Sequence, residues 1–260
     1  MRYIIVVIAC KGNAFTFKDR VVSCLNCTNS PAAYNFLLML GLMLFCCTFF
    51  GSNKISDTTM TPITYLALGD SYTIGEQVAD NERFPVQTAV LLREQGYAVA
   101  DPEIIATTGW TTDELEAGIR AAHITQTYDI VTLLIGVNNQ YRGWPVAQYE
   151  KEFRELLLKA IAFARNEPSH VVVLSIPDWG VTPFAADRDQ QQIAMEIDAY
   201  NAANKAIAQQ MKVPYLDITA FTREASHDKE LVAADGLHPS GKDYARWAAA
   251  LAPLLQQALH

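Results

Sequence analysis

Short apolar runs alternate along the chain with longer segments of mixed polarity. Several runs are continuously apolar, as strands are when both faces of a parallel sheet are covered. Runs of this length, bounded by turn residues, predict β-strands. The five predicted strands comprise residues 63–68, 103–108, 130–136, 171–176 and 213–218.

The longer segments have the periodicity of amphipathic helices. Between Phe153 and Ala164, apolar side chains recur at spacings of three and four, which places them on one face of a helix over residues 147–165. Residues 189–211 and 240–259 are predicted to be helical as well. Strands that alternate with helices predict an α/β fold, with a parallel sheet between two helical layers.

The N-terminal segment differs in composition from the rest of the chain. Residues 36–50 are almost entirely apolar, about the length of a signal-peptide core and shorter than the roughly 20 residues that span a bilayer. We therefore expect an extracytoplasmic protein, with possible membrane attachment through this segment. The predicted parts are an export leader or membrane anchor at 1–50, a polar tether at 51–62 and one folded domain at 63–260.

All five cysteines lie in the first 47 residues, so the folded domain has no disulfide and no thiol nucleophile. Cys24 and Cys27 have a C-x-x-C spacing, but no second pair follows, and zinc is not expected there. Cys46 and Cys47 raise the alternative of a lipoprotein. Cleavage, lipidation, retention as an anchor and a start assigned too early all stay open.

Charge excludes one class of partner. The formal net charge is −8, and the first 50 residues hold four basic residues and one acidic one, which leaves 16 basic and 27 acidic residues for the remainder. A surface of this sign repels phosphate backbones, and no basic cluster with interleaved aromatic residues occurs. Binding to nucleic acid is not expected.

Two segments far apart in the sequence carry the residue types of a catalytic triad. Ser71 follows the first predicted strand, and Asp235 precedes His238 by three positions near the other end of the chain. A serine hydroxyl needs a base to become a nucleophile, and the base needs an orienting partner. Active sites of open α/β sheets lie beyond the carboxyl ends of the strands, where Ser71 falls. Asp70 is expected to fix the turn rather than to act in catalysis.

Two further strand ends offer hydrogen-bond donors. Gly109 follows the second predicted strand, and Asn138 and Asn139 follow the third. A backbone N–H and an asparagine amide can stabilise a developing oxyanion, although glycine and asparagine at strand ends also serve as plain turn residues. Both interpretations stay open for these residues.

The four segments together resemble the GDSL or SGNH hydrolases, which are named after a Gly-Asp-Ser-Leu motif and after Ser, Gly, Asn and His residues in four sequence blocks. The resemblance covers residues ~63–259 in the family's order. It implies a flavodoxin-like three-layer α/β/α sandwich with a five-stranded parallel sheet. It also implies that Ser71 is the nucleophile, His238 the base and Asp235 its partner, with an oxyanion hole formed by Ser71, Gly109 and Asn138.

The sequence departs from the family pattern at two positions. Tyr72 replaces the leucine of the motif, which should alter the packing beside the nucleophile. Asn139 stands where the third block usually has aspartate, which should affect local loop structure. Neither change removes a catalytic group.

Aromatic residues follow several strands and suggest an apolar rim for an acyl or aryl group. The residues expected to bind substrate are Trp110, Tyr141, Trp144 and Trp179, with Phe184 nearby. Arg142 is expected to be solvated or paired with a loop carboxylate.

The resulting prediction is a serine ester hydrolase, similar to esterases and lysophospholipases, which acts on a small-molecule or lipid ester without a metal or cofactor. An acyltransferase and a carbohydrate O-deacetylase share every named residue and are the main alternatives. A tethered binding protein without catalysis is the alternative from another class.

Overall fold

The computed structural model describes residues 61–260, and these form a sheet with helices on both of its faces. The predicted leader and all but the last two residues of the predicted tether lie outside the described residues. No helix in residues 61–260 is long and apolar enough to cross a membrane.

The five strands pair in parallel in the order β2-β1-β3-β4-β5. Their buried side chains are mostly aliphatic, because the sheet is covered on both faces. The register places Gly69 of β1 beside Ala106 of β2 and Leu134 of β3. The strands are β1 (Tyr65–Gly69), β2 (Glu103–Ala106), β3 (Ile130–Leu134), β4 (Val171–Leu174) and β5 (Tyr215–Leu216).

Eight α-helices connect and cover the strands in this part of the chain. The helices are α1 (Ser71–Ile74), α2 (Phe84–Glu94), α3 (Thr112–Ala121), α4 (Val137–Tyr141), α5 (Val146–Phe163), α6 (Gln190–Gln210), α7 (Thr219–Arg223) and α8 (Gly241–Ala258). On one face of the sheet, α2 packs on α8. On the other face, α5 packs on α3 and α6.

This arrangement confirms the predicted three-layer α/β/α fold. All five predicted strands occur, and each is shorter than predicted. The last strand differs most, because the chain from Val213 to Ile218 contributes only two strand residues. Pairing still extends beyond these residues, since the Pro214 carbonyl accepts a hydrogen bond from Val173 at 3.0 Å.

Strand order identifies the part of the sheet where a ligand is expected. The chain moves from β1 outward to β2, and then crosses back to β3 on the other side of β1. In open α/β sheets, ligands bind beyond the carboxyl ends of the strands at this reversal. Ser71 begins the helix α1 after β1, and Asn138 lies in the first turn of α4 after β3, so both flank the expected position.

Candidate active site

The turn after β1 presents Ser71 at the first position of a helix. Gly69 ends the strand, and a Cβ atom added there would lie 2.5 Å from the Leu134 carbonyl oxygen, so glycine is needed for this close approach. Asp70 caps the helix, since its Oδ1 accepts a hydrogen bond from the Tyr72 N–H at 3.0 Å. The expectation that Asp70 fixes the turn is confirmed.

The Asp70 carboxyl is fully buried, and its Oδ2 has no hydrogen-bond partner. Burial raises the pKa of Asp70 to about 7, and the hydrogen bond from the Tyr72 N–H opposes this rise by a smaller amount. The group beneath the nucleophile is therefore partly neutral near pH 7.

The loop before α8 holds His238 and Asp235 in contact. His238 Nδ1 lies 2.6 Å from Asp235 Oδ2. The other carboxylate oxygen accepts hydrogen bonds from the backbone N–H groups of Leu237 at 3.0 Å and His238 at 3.1 Å. Three hydrogen bonds thus fix both the carboxylate and the ring, and they leave Nε2 as the imidazole nitrogen that is free for chemistry.

These contacts determine the charge of Asp235. Partial burial raises the pKa of this carboxyl, but the hydrogen bonds from the His238 ring and from the two backbone N–H groups outweigh it, so the pKa lies below the usual value. Asp235 is therefore ionised at neutral pH and can stabilise a protonated imidazole.

The ring of Tyr72 packs on the imidazole of His238. The ring centroids of Tyr72 and His238 are 5.0 Å apart, with planes inclined by 51°. Both side chains are buried. Tyr72, which replaces the leucine of the motif, therefore places a large ring beside His238. This is a change in packing of the kind that the sequence predicts.

The predicted oxyanion hole comprises two backbone donors, of Ser71 and Gly109, and one side-chain donor, of Asn138. Within residues 61–260, the N–H groups of Ser71 and Gly109 donate to no other group, and Gly109 has a positive φ of 85°. The Asn138 amide donates to the Trp110 carbonyl at 3.0 Å, which ties it to the loop of Gly109 and leaves its second N–H unused.

A cavity of about 160 Å³ joins the two distant segments of the sequence. Ser71, Asn138 and His238 all line it, although no hydrogen bond joins Ser71 Oγ to the His238 ring in the described part of the chain. Hydrogen bonds of this kind are often long before substrate binds. The remaining lining residues are Tyr72, Val137, Tyr141, Trp179, Phe184 and Leu237.

The structure separates the four aromatic residues expected to bind substrate. Tyr141 and Trp179 line the cavity with Ser71, and their rings meet edge to face at 5.3 Å. Trp110 lies outside the lining, because its ring occupies the space above Gly118 of α3. Trp144 lies beside a different cavity, described below.

The departure at Asn139 has a clear structural consequence, and the contacts of the nearby Arg142 are well defined. Asn139 is buried, and it accepts a hydrogen bond from the Thr112 N–H at 3.1 Å and donates one to Thr112 Oγ1 at 2.7 Å. It therefore joins α4 to the start of α3. Arg142 pairs with Glu114 at 3.2 Å and donates to the Gly109 carbonyl at 2.7 Å. It is therefore paired, as one of the two expectations had it, but with a carboxylate in the first turn of α3 rather than in a loop.

A second cavity, of about 260 Å³, lies on the other side of α4. Its polar side chains are Gln140, Glu196 and Tyr200. The sequence around Gln140 carries no signal of its contacts, because its partners Trp179 and Glu196 lie about 40 and 56 positions further along the chain. Within residues 61–260, no group of three or more His, Cys, Asp or Glu side chains is arranged to hold a metal ion.

Comparison with known proteins assigns the class. The model of the GDSL-like Lipase/Acylhydrolase family matches residues 67–246, which is more than half of the chain. The chain therefore belongs to the GDSL-like lipases and acylhydrolases, which confirms the predicted family and its activity as an ester hydrolase. No curated protein sequence matches the chain.

Solved structures share the fold at low sequence identity. A lipase/acylhydrolase from Enterococcus faecalis is 21% identical with a TM-score of 0.58, and covers 75% of this chain and 96% of its own. The esterase EstA from Pseudoalteromonas sp. is 15% identical with a TM-score of 0.58, over 75% of this chain and 98% of its own. The acetylxylan esterase Axe2 from Geobacillus stearothermophilus is 20% identical with a TM-score of 0.57, over 74% and 94%.

Proposed function

We propose that this ester hydrolase forms an acyl-enzyme on Ser71, with His238 as the general base and Asp235 as its orienting partner. The observation that carries the proposal is the 2.6 Å contact between His238 Nδ1 and Asp235 Oδ2, in a ring that lines one cavity with Ser71. This contact fixes the tautomer with a proton on Nδ1, so that Nε2 can accept the proton of the serine hydroxyl.

The reaction proceeds in two halves. His238 Nε2 takes the proton from Ser71 Oγ while this oxygen bonds to the ester carbonyl carbon, and the carbonyl oxygen becomes an oxyanion. The intermediate then expels the alcohol oxygen, which receives the proton from His238. Water attacks the acyl-enzyme with His238 again as the base, and the carboxylic acid leaves while Oγ regains its proton.

Three donors are proposed to stabilise the oxyanion. They are the N–H groups of Ser71 and Gly109 and the second N–H of the Asn138 amide. Their support is that none of the three donates to another group in the described residues. Ser71 is buried, where an unpaired donor is uncommon, and the half-exposed Asn138 lines the same cavity and is hydrogen-bonded to the loop of Gly109. Donors held in place before reaction need no rearrangement when charge develops.

The size of the cavity favours short acyl groups. At about 160 Å³ it is smaller than the ~300–1,000 Å³ of sites for drug-sized ligands. The rings of Tyr141, Trp179 and Phe184 supply apolar surface for the acyl group. An acetyl group fits a cavity of this volume, so an acetyl-ester deacetylase acting on a carbohydrate is the second candidate.

Location stays a proposal. We infer an extracytoplasmic enzyme, released or attached through residues 1–50, from the apolar segment at 36–50. Fractionation of cells that produce the full chain tests this inference, and activity confined to the cytoplasm contradicts it.

The test of function compares Ser71→Ala with the wild-type full chain on aryl esters of acetate, butyrate and octanoate. Loss of the nucleophile should lower turnover by about 10⁴–10⁶. Ser226→Ala is the matched control, because Ser226 is exposed and bonds only to the Arg223 carbonyl. Unchanged turnover by Ser71→Ala contradicts the mechanism.

A second measurement separates hydrolysis from acyl transfer. With a sugar or simple alcohol added, a hydrolase releases mainly free acid, whereas a transferase yields mainly the new ester. Both products require the acyl-enzyme. Ser71→Ala, which should form neither the free acid nor the new ester, is therefore the control for both measurements.

A further inference from the structure

Gln140 stands between the two cavities, and its side chain is buried. We propose that Gln140 is a positioning residue that holds Trp179 as a fixed wall of the acyl cavity, and that this wall limits the length of the acyl group. The inference rests on the proposed function, because it assigns the acyl group to the cavity lined by Ser71.

The hydrogen bonds of Gln140 determine its orientation. The Trp179 Nε1–H donates to Gln140 Oε1 at 2.7 Å, and Gln140 Nε2 donates to Glu196 Oε2 at 2.7 Å. An indole N–H can only donate and a carboxylate can only accept, so the amide fits this site in one orientation. The chain of contacts runs from α6 through α4 to the wall of the cavity.

The backbone of Trp179 is held independently from the same helix. Asp178 Oδ1 accepts a hydrogen bond from the Gly180 N–H at 2.9 Å, and Asp178 Oδ2 lies 2.8 Å from Arg223 Nε. Arg223 in turn contacts Asp198 of α6 at 2.8 Å. Both the ring and the backbone of Trp179 are thus tied to α6.

Apart from Tyr72, which packs on His238, the other aromatic residues of the cavity have no comparable support. Tyr141 is 47% exposed and Phe184 is 44% exposed, whereas Trp179 is 5% exposed. Trp179 contacts both rings edge to face, at 5.3 Å and 6.0 Å. A rotation of its indole would leave a buried N–H unpaired, which is unfavourable. Trp179 is therefore the rigid member of the three rings Tyr141, Trp179 and Phe184.

Gln140→Met tests the proposal, because methionine has similar length and makes neither hydrogen bond. The specificity ratio, kcat/KM for the octanoyl ester over that for the acetyl ester, should rise by about three- to tenfold, within the range that apolar pockets discriminate. The change should fall mainly on KM of the longer ester, with kcat on the acetyl ester retained. An unchanged ratio overturns the proposal.

The matched control is Gln148→Met on α5. Gln148 is exposed, and its amide donates to the Glu152 carboxylate at 2.9 Å, so the same substitution breaks the same type of contact at residues that do not line the acyl cavity. The specificity ratio should stay at the wild-type value. A shift equal to that of Gln140→Met overturns the assignment to Trp179.

Trp179→Phe provides a second route if Gln140→Met fails to fold. It removes the indole N–H, keeps a ring in the wall, and should raise the specificity ratio in the same direction. The double variant should change the ratio no more than the larger single effect, since both remove one contact. Fully additive effects overturn the proposal.

Failure of this inference is distinct from failure of the proposed function. If Ser71→Ala retains turnover, the catalytic site is wrong. If Ser71→Ala is inactive while both Gln140→Met and Trp179→Phe keep the wild-type specificity ratio, only the role of Gln140 is overturned.

Discussion

Two cavities flank the short helix α4, and the smaller one holds the candidate chemistry. The larger, of about 260 Å³, contains a tryptophan, a tyrosine and a carboxylate. Several of its polar groups are paired, mostly with one another: the Tyr200 hydroxyl donates to the Trp144 carbonyl, and Glu196 accepts from Gln140 and from Gln192 outside the lining. In the smaller cavity, of about 160 Å³, the Ser71 hydroxyl and part of the Asn138 amide stay unused.

The difference shows that volume alone does not identify a site. Paired donors and acceptors stabilise a fold, whereas unpaired ones beside an oriented base can act on a substrate.

The largest effect is expected at Asp235→Asn. An asparagine can present its NH₂ to the imidazole, which favours the wrong tautomer, and turnover should fall by about 10⁴. Steady-state kinetics on the acetyl ester measure the loss. The control is Asp228→Asn in the neighbouring turn, where an exposed pair with Lys242 should contribute little. Equal turnover of the two variants contradicts the role of Asp235.

Asn138→Ala removes the side-chain donor of the proposed oxyanion hole. Turnover should fall by about 10²–10³, with a smaller change in KM, because the contact forms with the developing charge. Asn81→Ala, at an exposed position, is the control and should match the wild type. A change confined to KM contradicts the assignment, because it indicates equal binding of ground state and transition state.

Asp70→Asn should change how stability depends on pH. The pKa of Asp70 is about 7 in the folded protein and near 4 when unfolded, so the unfolded state loses its proton first and stability falls as pH rises from about 4 to 7. Asparagine removes this contribution, roughly 2–4 kcal/mol from a shift of this size.

Urea unfolding at several pH values between 4 and 7 measures the effect. Burial also raises the pKa of Asp243 to about 6, so part of the slope in the same direction should persist in the variant. An identical slope in the wild type and in Asp70→Asn contradicts the raised pKa of Asp70.

The smallest effect is expected at Trp144→Ala beside the larger cavity. Turnover of acetyl, butyryl and octanoyl esters should stay within about twofold of wild type, because Trp144 contacts neither Ser71 nor its cavity. A selective loss on the octanoyl ester would instead assign the acyl group to the larger cavity.

Much of the fold could be predicted from the pattern of apolar residues. Strands buried on both faces and the long helices α5, α6 and α8 have strong signals. The helix α2 does not, because its buried positions include Pro85 and Thr88 as well as Phe84 and Leu92. Its position is determined by packing on α8 rather than by its own periodicity.

The residues of the candidate site likewise include some with a local sequence signal and some without one. Ser71, Asn138 and His238 have local signals, since each lies in a short motif near a strand or helix end. Trp110 and Trp144 follow strands just as Trp179 does, yet side-chain direction separates them, and the sequence does not encode this locally. The contact of Gln140 with Trp179 and Glu196 depends on three distant segments and becomes visible only in the folded chain.

Covalent labelling tests the central claim most directly. An aryl phosphonate ester reacts with an activated serine, and mass spectrometry of the digested protein locates the adduct. We predict one adduct, on the peptide that contains Ser71, absent in Ser71→Ala and formed far more slowly in Asp235→Asn. Labelling of another residue, or equal labelling of Ser71→Ala, would contradict the account.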